Sequence, residues 1–430
     1  MNNRIHSLFQ VTARSAGARH GLLMSGATLL AGGFDYLVNV LVGRMLVPAE
    51  FSVFVTVAAL LQVLVYMTNV IRNVVAFYTA QLTVQDRAEA KIGAFLRQRW
   101  RWAWRWGLPA AAVMALISPW LAALLRIDSP WPLWAGSALL LFLFLRPVTD
   151  GTLQGLQHFL GLGAVQVLQA FLRLLLAPAL ILVGWQAAGA IFSLPLASLG
   201  ALLLALWLLR GYLEAGRNGA ALPTSEISRQ YSAYTLVGLL AFALMVNLDA
   251  IVVKRVFSPE IAGQYGPVVT LGKINLFIPL GIGMVLFPKA TQRQAEGRDA
   301  RPVLLLALAA TLLPGLGLTA VYFLFPGPLV QTVFTDAYAD PGLVLGWVGL
   351  ATTLYAGINI WLSYALSTGR PLYIYALAVI VAGQITAMAL FNDTLLFIAT
   401  IMVVTGLLGN LSGLLLIIGM VSGDSHFKHS

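Results

Sequence analysis

The feature that most constrains this chain is a series of twelve apolar blocks, each about 20 residues long or longer. A helix needs about 20 apolar residues to cross the hydrocarbon layer of a bilayer, which is roughly 30 Å thick. Because every backbone N–H and C=O group must be paired inside lipid, we expect the blocks to be transmembrane helices. The sequence lacks the period-two alternation that is typical of membrane barrel strands. The predicted spans are 22–46, 51–75, 102–125, 133–154, 161–183, 187–209, 234–256, 264–287, 303–325, 343–366, 372–390 and 395–420.

Composition excludes a soluble enzyme. Hydrophobic residues make up 59% of the 430 residues and charged residues only 10%, whereas an ordinary soluble domain has about 25% charged residues. The absence of cysteine excludes disulfides, thiolate metal sites and cysteine nucleophiles. The chain has no P-loop motif and no metal-ligand spacing of histidines inside a span, so we expect no cofactor. The first 21 residues are polar and basic, which argues against a cleaved signal peptide.

The basic residues predict the topology. Of the 26 lysines and arginines, 18 fall on the side of the N-terminus and four on the opposite side. The positive-inside rule therefore assigns both termini to the cytoplasm. The net charge of +10 follows from this topology, and we expect no nucleic-acid partner.

A run of alternating arginine and tryptophan, RQRWRWAWRW, occupies positions 97–106. Such a run can stack single-stranded nucleic acid. We interpret it instead as an interfacial belt, with indoles at the headgroup level and guanidinium groups on anionic membrane lipid.

The chain divides into two halves of six spans. A polar stretch from Arg210 to Arg229 separates them, and a weak repeat relates them at an offset of 211 residues. In this repeat Gly43-Arg44 and Pro48 match Lys254-Arg255 and Pro259. An even number of spans gives both halves the same orientation, so the repeat is parallel, about a pseudo-two-fold axis along the membrane normal. We predict an N-terminal six-helix lobe (1–210), a cytoplasmic linker (211–231) and a C-terminal six-helix lobe (232–430), around a central cavity.

Ionisable residues inside the spans are the functional candidates, because a charge at the bilayer centre costs at least about 2.5–3.5 kcal/mol. We predict a polar, net-positive chamber between the lobes. Its substrate-binding candidates are Arg72, Lys273, Arg146, Arg173, Asn69, Asn73 and Asn275, and its ion-coupling candidates are Asp35 and Asp249.

Structural alternatives stay open for several of these residues. Arg146 and Asp150 are four residues apart and can neutralise each other. Asp35 can pair with a cation of its own half, and Arg173 can snorkel to the cytoplasmic surface. The asparagines can simply join neighbouring helices by hydrogen bonds.

Several motifs resemble those of a known transporter family. They include Gly43-Arg44-x-Leu-x-Pro48-x-Glu50-Phe51, its seventh-span counterpart Asn247-Leu248-Asp249 with Ser258-Pro259-Glu260, and Leu286-Phe287-Pro288-Lys289. The chain resembles the polysaccharide-transport branch (Wzx-type O-antigen flippases) of the multidrug/oligosaccharidyl-lipid/polysaccharide exporter superfamily.

The resemblance implies two six-helix lobes around a cavity, and alternating access to that cavity. It also implies that a polyprenyl-diphosphate-linked oligosaccharide moves from the cytoplasmic to the outer leaflet of the bacterial inner membrane. By analogy with the lipid II flippase of this superfamily, Arg72 and Lys273 would hold the diphosphate. By analogy with the drug-exporting branch, Asp35 would couple transport to an ion. The driving force would be H⁺, Na⁺ or the membrane potential.

We therefore expect a monomeric transporter rather than an enzyme, working beside the glycosyltransferases or polymerase of a glycan pathway. A small-molecule or drug exporter and a non-enzymatic subunit of a polysaccharide export complex are the alternatives.

Overall fold

A computed structural model describes Met24 and residues 26–216, 229–277, 301–368 and 370–418. These residues form helices joined by short turns, and the described ranges contain no strand. The helices are α1 (Gly26–Met45), α2 (Pro48–Leu82), α3 (Ala88–Leu124), α4 (Trp131–Gly155), α5 (Phe159–Leu180), α6 (Gln186–Leu208), α7 (Arg210–Ala215), α8 (Arg229–Val256), α9 (Pro259–Gly272), α10 (Arg301–Leu324), α11 (Pro326–Val333), α12 (Leu343–Thr368), α13 (Pro371–Leu390) and α14 (Leu395–Gly413).

Ten helical stretches in the described ranges are long and apolar enough to cross a membrane. One of them, Phe159–Leu208, contains two predicted spans. Its two α-helices are joined by a π turn, Ile181–Trp185, in which Gly184 has a φ of 98°. Glycine adopts this left-handed conformation without steric cost. The chain is thus an all-helical, multi-pass membrane protein, which confirms the predicted fold class.

Two helices are longer than the sequence predicted. Helix α2 has 35 residues and α3 has 37, against predicted spans of about 25 residues each. The difference has a physical reason, because hydropathy marks only the part of a helix that lies in hydrocarbon. Hydrogen bonding within the helix continues into the polar stretches beyond it.

Apart from a few residues at the ends of the first and twelfth spans, two predicted segments are only partly described. The eighth span, predicted at 264–287, corresponds to α9 and the 3₁₀ turn Lys273–Leu276, and its continuation lies outside the described residues. Of the predicted linker 211–231, residues 211–215 belong to α7, which packs against α3 of the N-terminal lobe. Most of the remaining linker lies outside the described residues. The predicted domain limits stay predictions.

The helices form two groups that meet along α2. In the N-terminal lobe, α4 packs against α2, α3 and α6, while α5 packs against α6. In the C-terminal lobe, α12 packs against α10 and α14, and α13 packs against α8 and α14. The lobes meet where α2 contacts α8 and α9. This arrangement fits the predicted two-lobe repeat around a cavity.

The two repeated motifs of the sequence lie at this lobe interface. Pro48 begins α2 and Pro259 begins α9, and both prolines occupy the first helical turn, where no N–H partner is needed. A Cβ atom on Gly263 would lie 2.5 Å from the carbonyl carbon of Pro48. The lack of a side chain at Gly263 therefore lets the two helices approach closely.

We expect Gly263→Ala to destabilise the protein by about 1–3 kcal/mol, because the new methyl group overlaps the backbone of Pro48. Gly317→Ala is the matched control, since no atom lies within 4 Å of a Cβ placed there. The measurement is the thermal denaturation midpoint of the purified protein in detergent. Equal midpoints for the two variants would contradict the close contact.

Candidate functional site

A cavity of about 270 Å³ lies between the two lobes. Six parts of the chain contribute to its walls: α1, α2 and α5 from the first lobe, and α8, α9 with its following turn, and α12 from the second. Its lining residues are Asp35, Tyr36, Asn39, Val55, Ala58, Ala59, Gln62, Tyr66, Arg173, Phe242, Val246, Asn247, Val269, Thr270, Lys273, Leu276, Phe277 and Asn359. The sequence-predicted candidates Asp35, Arg173 and Lys273 are thus brought together at the same cavity.

Asp35 and Arg173 form an ion pair across α1 and α5. The Arg173 Nη1 atom lies 2.8 Å from the Asp35 Oδ1 atom. The Asp35 side chain is 46% exposed, whereas that of Arg173 is only 10% exposed. The structural alternative proposed for Asp35, a cation of its own half, is therefore what the structure contains. The Arg173 Nε atom is buried and has no hydrogen-bond partner in the described part of the chain.

Lys273 is the second cation of the cavity. It lies where α9 tightens into the 3₁₀ turn Lys273–Leu276. Its Nζ atom donates a hydrogen bond of 2.8 Å to the Asn247 Oδ1 atom. The Asn247 amide in turn donates to the Ala243 carbonyl at 2.8 Å, which turns its oxygen toward the lysine. Lys273 is thus held by a neutral acceptor.

Among the described residues, the charged groups that line the cavity are two cations and one anion, so their sum is positive, as predicted from the sequence. Among the lining residues, Arg173 pairs with Asp35, whereas Lys273 has no carboxylate partner in the lining. A partly buried cation of this kind attracts an anionic group, because a lower dielectric constant strengthens the interaction.

The rest of the polar lining is neutral. Asn39, Gln62 and Asn359 present amides, which both donate and accept hydrogen bonds. Tyr66 and Phe242 add aromatic rings in an edge-to-face contact at 6.0 Å between centroids. Amides and aromatic rings beside a cation suit a ligand that combines an anionic group with hydroxyl-bearing rings.

Asp249 lies in the interior of the C-terminal lobe and is not a lining residue of the cavity. Its side chain is buried, and its Oδ2 atom accepts a hydrogen bond of 3.0 Å from the Tyr265 hydroxyl. Its Oδ1 atom is buried without a hydrogen-bond partner among the described residues. Asp249 also interacts electrostatically with Lys273. A change in the charge of Asp249 therefore alters the electrostatic environment of Lys273.

Arg146 was predicted to bind substrate, but the structure does not place it at the cavity. Its Nη2 atom lies 2.9 Å from the Asp150 Oδ2 atom, and its other terminal nitrogen donates to Gln169. Gln169 continues the chain of hydrogen bonds to the Ser198 hydroxyl at 3.1 Å. The predicted neutralisation of Arg146 by Asp150 is confirmed, and the network joins α4, α5 and α6 inside one lobe.

The other predicted cavity residues also lie elsewhere. Arg72 is not among the described lining residues and interacts electrostatically with Asp150 and Arg146. Asn275 is buried, and its amide donates to the Gly349 carbonyl at 2.9 Å and to the Thr353 hydroxyl at 3.0 Å. It joins the turn after α9 to α12. Asn69 and Asn73 are also absent from the cavity lining; they lie on α2 more than one helical turn beyond Gln62, and the Asn73 side chain is exposed.

Sequence reasoning missed the tyrosines of the cavity. Tyr36 follows Asp35, and Tyr66 lies four residues after Gln62, one helical turn along the same face of α2. This i, i+4 spacing was a usable signal, but an aromatic residue in an apolar span is not itself conspicuous.

One end of the lobe interface is closed by cross-lobe contacts, and we call it the closed end. The Arg44 guanidinium donates to the carbonyls of Val333 at 2.8 Å and Thr332 at 2.6 Å, at the C-terminus of α11. Arg126 donates to the Val256 carbonyl at 3.3 Å, at the C-terminus of α8. Both cations bind helix C-termini, where unpaired carbonyls and the helix dipole favour positive charge.

Further contacts complete the closed end. The Tyr338 hydroxyl donates to the Gly43 carbonyl at 2.8 Å, and Phe51 packs against Phe334 with 5.8 Å between ring centroids. Lys254 donates to the Ser52 hydroxyl at 3.0 Å. Arg44, Arg126 and Lys254 are three of the four cations on the side opposite the predicted cytoplasmic side, and the structure gathers them at one end of the molecule.

Comparison with known proteins finds relatives by structure only, since no protein-family model and no curated protein matches the sequence. A multidrug-resistance MATE-family transporter of the MOP superfamily, in an inward-facing conformation, superposes with a TM-score of 0.70 at 13% identity, covering 94% of this chain and 99% of that one. The lipid II flippase MurJ, in an inward closed conformation, superposes with a TM-score of 0.66 at 12% identity. The match covers 92% of this chain and 87% of MurJ. A MOP-superfamily transporter from Pyrococcus furiosus, described as having a binding pocket of reverse polarity, superposes with a TM-score of 0.60 at 14% identity. The match covers 94% of this chain and 96% of that transporter.

The chain has the fold of MOP-superfamily transporters. The comparison establishes this fold along nearly the whole chain. At this level of identity it leaves the substrate open.

The trio of Arg72, Arg146 and Asp150 predicts an asymmetric response to mutation. Asp150→Asn leaves the buried Arg146 without its carboxylate and near Arg72, and we expect it to destabilise the protein by about 3–5 kcal/mol. Arg146→Gln leaves Asp150 with Arg72 as a compensating charge, so the loss should be smaller. Thermal denaturation midpoints of the purified variants measure this difference. Equal losses, or a larger loss for Arg146→Gln, would show that Arg72 does not share the carboxylate.

Proposed function

We propose that this protein is a flippase that moves a lipid-linked oligosaccharide, carried on a polyprenyl diphosphate, from the cytoplasmic to the outer leaflet of a bacterial inner membrane. The observation that carries the proposal is the net-positive cavity between the lobes, in which Lys273 and Arg173 face one space beside amides and aromatic rings. The fold, shared with the lipid II flippase MurJ, supports the same class of substrate.

The chemistry of such a substrate matches the lining. A sugar diphosphate cannot enter hydrocarbon, because its charges and hydroxyls would lose their hydration without compensation. In the cavity, Lys273 and Arg173 supply charge-assisted hydrogen bonds to phosphate oxygens. Asn39, Gln62 and Asn359 supply donors and acceptors for sugar hydroxyls, while Tyr36 and Tyr66 offer apolar faces.

The size of the cavity supports binding of a headgroup rather than of a whole lipid. Its 270 Å³ lies just below the range of about 300–1,000 Å³ that is usual for small-molecule pockets. We propose that the diphosphate and the adjoining sugar occupy the cavity while the polyprenyl tail stays in the bilayer.

The closed end supports alternating access. The positive-inside rule assigns this end to the outer side of the membrane. In the conformation described, contacts of Arg44, Arg126 and Tyr338 would then bar the cavity from the outside. Release of the headgroup to the outer leaflet requires these contacts to break.

Two driving forces fit the charges. Moving two negative charges outward across a membrane with a negative interior is favourable by about 4.6 kcal/mol per 100 mV. In addition, we propose Asp249 as a site for a counter-transported H⁺ or Na⁺, because one of its buried oxygens lacks a partner among the described residues and its charge reaches Lys273. Asp35 is the second coupling candidate, since a phosphate that binds Arg173 would displace the Asp35 carboxylate from this arginine.

The alternative is a small-molecule or drug exporter, which the fold of the MATE-family transporter equally allows. The cavity charge favours the anionic substrate, since a site for cationic drugs should be net acidic. We further propose that the protein works as a monomer beside the glycosyltransferases or polymerase of a glycan pathway. A role as a non-enzymatic subunit of a polysaccharide export complex is the remaining alternative.

We expect Lys273→Gln to reduce translocation of undecaprenyl-linked glycan at least about tenfold, because it removes a charge-assisted hydrogen bond to phosphate. Arg173→Gln should reduce it similarly. The readout is the leaflet distribution of undecaprenyl-linked sugars in cells that depend on the variant. Arg255→Gln, an exposed arginine at the closed end, is the matched control.

Two outcomes would count against the flippase. Normal glycan translocation in both cavity variants would remove the diphosphate site. Increased resistance to cationic compounds in cells with Lys273→Gln, without a change in lipid-linked sugars, would favour the drug exporter.

Coupling through Asp249 predicts a separate result. In proteoliposomes, Asp249→Asn should abolish the response of transport to an imposed H⁺ or Na⁺ gradient, while transport driven by voltage persists. Asp128→Asn, an exposed carboxylate, is the control. If transport by Asp249→Asn follows the ion gradients as the wild type does, Asp249 does not couple ions.

A further inference from the structure

The arginine–tryptophan run at positions 97–106 is not used by the cavity. It lies in the first half of α3, ahead of the apolar part of that helix. At 1.5 Å per residue, the 37 residues of α3 span about 55 Å, well beyond the roughly 30 Å of hydrocarbon. The run therefore falls at the level where the helix leaves the hydrocarbon.

The lobe covers one side of the run and leaves the other free. Ala103 is fully buried, and Gly107 packs against α4. On the opposite side, Arg101 and Arg105 are exposed. They are four residues apart, so their side chains lie one turn apart on the same face of the helix. Trp102 and Trp106 border this face on one side and Trp104 on the other, with exposed fractions of 36%, 54% and 39%.

The arginines of this region differ in their partners. Arg97 donates to the Leu213 carbonyl of α7, and Arg99 stacks on the Phe95 ring at 5.2 Å. Arg210, at the start of α7, stacks on Trp207 at 5.1 Å. In contrast, Arg101 and Arg105 make no ion pair or hydrogen bond within the described part of the chain.

Arg210, the first residue of α7, adds a positive charge to the same region. Helix α7 packs along α3 with Gly216 against Gly93 and the Leu213 carbonyl on Arg97. The two helices thus run antiparallel, which places Arg210 at about the level of Arg101. Residues 97–106 and 207–216 together carry five arginines and one glutamate, Glu214.

We infer that Arg101 and Arg105, bordered by these indoles, form a binding site for the phosphate headgroup of an anionic membrane phospholipid. The apolar surface that continues along α3 favours a lipid over a soluble ligand. Leu108, Val113 and Leu116 follow on the same helix with exposed fractions of 52%, 56% and 80%, and lipid tails cover such surface. Two guanidinium groups one turn apart can bind one phosphodiester from two sides, while indoles lie at the headgroup level.

The test measures binding of phosphatidylglycerol to the full-length protein in detergent by native mass spectrometry, with phosphatidylcholine as the uncharged comparison. Each arginine near an anionic headgroup contributes roughly fivefold in affinity. Arg101→Gln/Arg105→Gln should therefore weaken phosphatidylglycerol binding about 25-fold. Both side chains are exposed, so the variant should fold.

Three further variants make the result specific. Arg87→Gln/Arg255→Gln removes two exposed positive charges elsewhere and should leave binding unchanged within twofold. Arg101→Lys/Arg105→Lys keeps the charge but not the planar geometry and should bind with intermediate affinity. Lys273→Gln removes the cavity cation and should leave this lipid bound, which separates the site from the proposed flippase cavity.

The proposal is overturned if Arg101→Gln/Arg105→Gln retains phosphatidylglycerol as the wild type does, or if phosphatidylcholine binds equally well. It is also overturned if inorganic phosphate or a single-stranded RNA oligonucleotide displaces the lipid at equal concentration, since the arginines would then serve a soluble ligand.

Discussion

The structure depends on the high free-energy cost of placing a charge in hydrocarbon. Each of the ionisable candidates that the sequence singles out inside the spans lies near another charge or a polar acceptor. Arg146 binds Asp150, Arg173 binds Asp35, and Lys273 binds the amide oxygen of Asn247. These pairings differ in whether their charged groups face the space between the lobes. The first is a closed network inside one lobe, whereas the other two face the space between the lobes.

This difference separates structure from candidate function. In the network of Arg146, Asp150 and Gln169, the arginine and the carboxylate pair with each other inside one lobe, so the network fixes the packing of α4, α5 and α6. The ion pair of Asp35 and Arg173 is half exposed on its acidic side, so an incoming anion can compete for the arginine. Lys273 donates to a neutral amide, and the charged side chains that the structure places in the cavity lining sum to one positive charge.

The same physics explains the contacts between the lobes. The proposed alternating access requires one side of the cavity to be closed and then released. Here the closure uses single cations on helix C-termini, Arg44 on α11 and Arg126 on α8, and one tyrosine hydroxyl, that of Tyr338. The two arginine contacts are individually modest and exposed, in contrast to the buried pair of Arg146 and Asp150. An interface of this kind can separate while the lobes stay intact.

The sequence alone determined that the chain is a helical, multi-pass membrane protein, because hydrocarbon accepts only segments whose backbone groups are paired internally. It also indicated that Asp35, Arg173 and Lys273 were exceptional, because charges in apolar spans are conspicuous. Only the tertiary structure decided which charges face each other. Arg72 and Arg146 had the same sequence signature as Lys273, yet Arg146 pairs with Asp150 inside one lobe and Arg72 interacts electrostatically with both. The polar candidate Asn275 is turned into a contact with α12. The direction of a side chain depends on how helices pack, and hydropathy contains no information about the partner that a helix will meet.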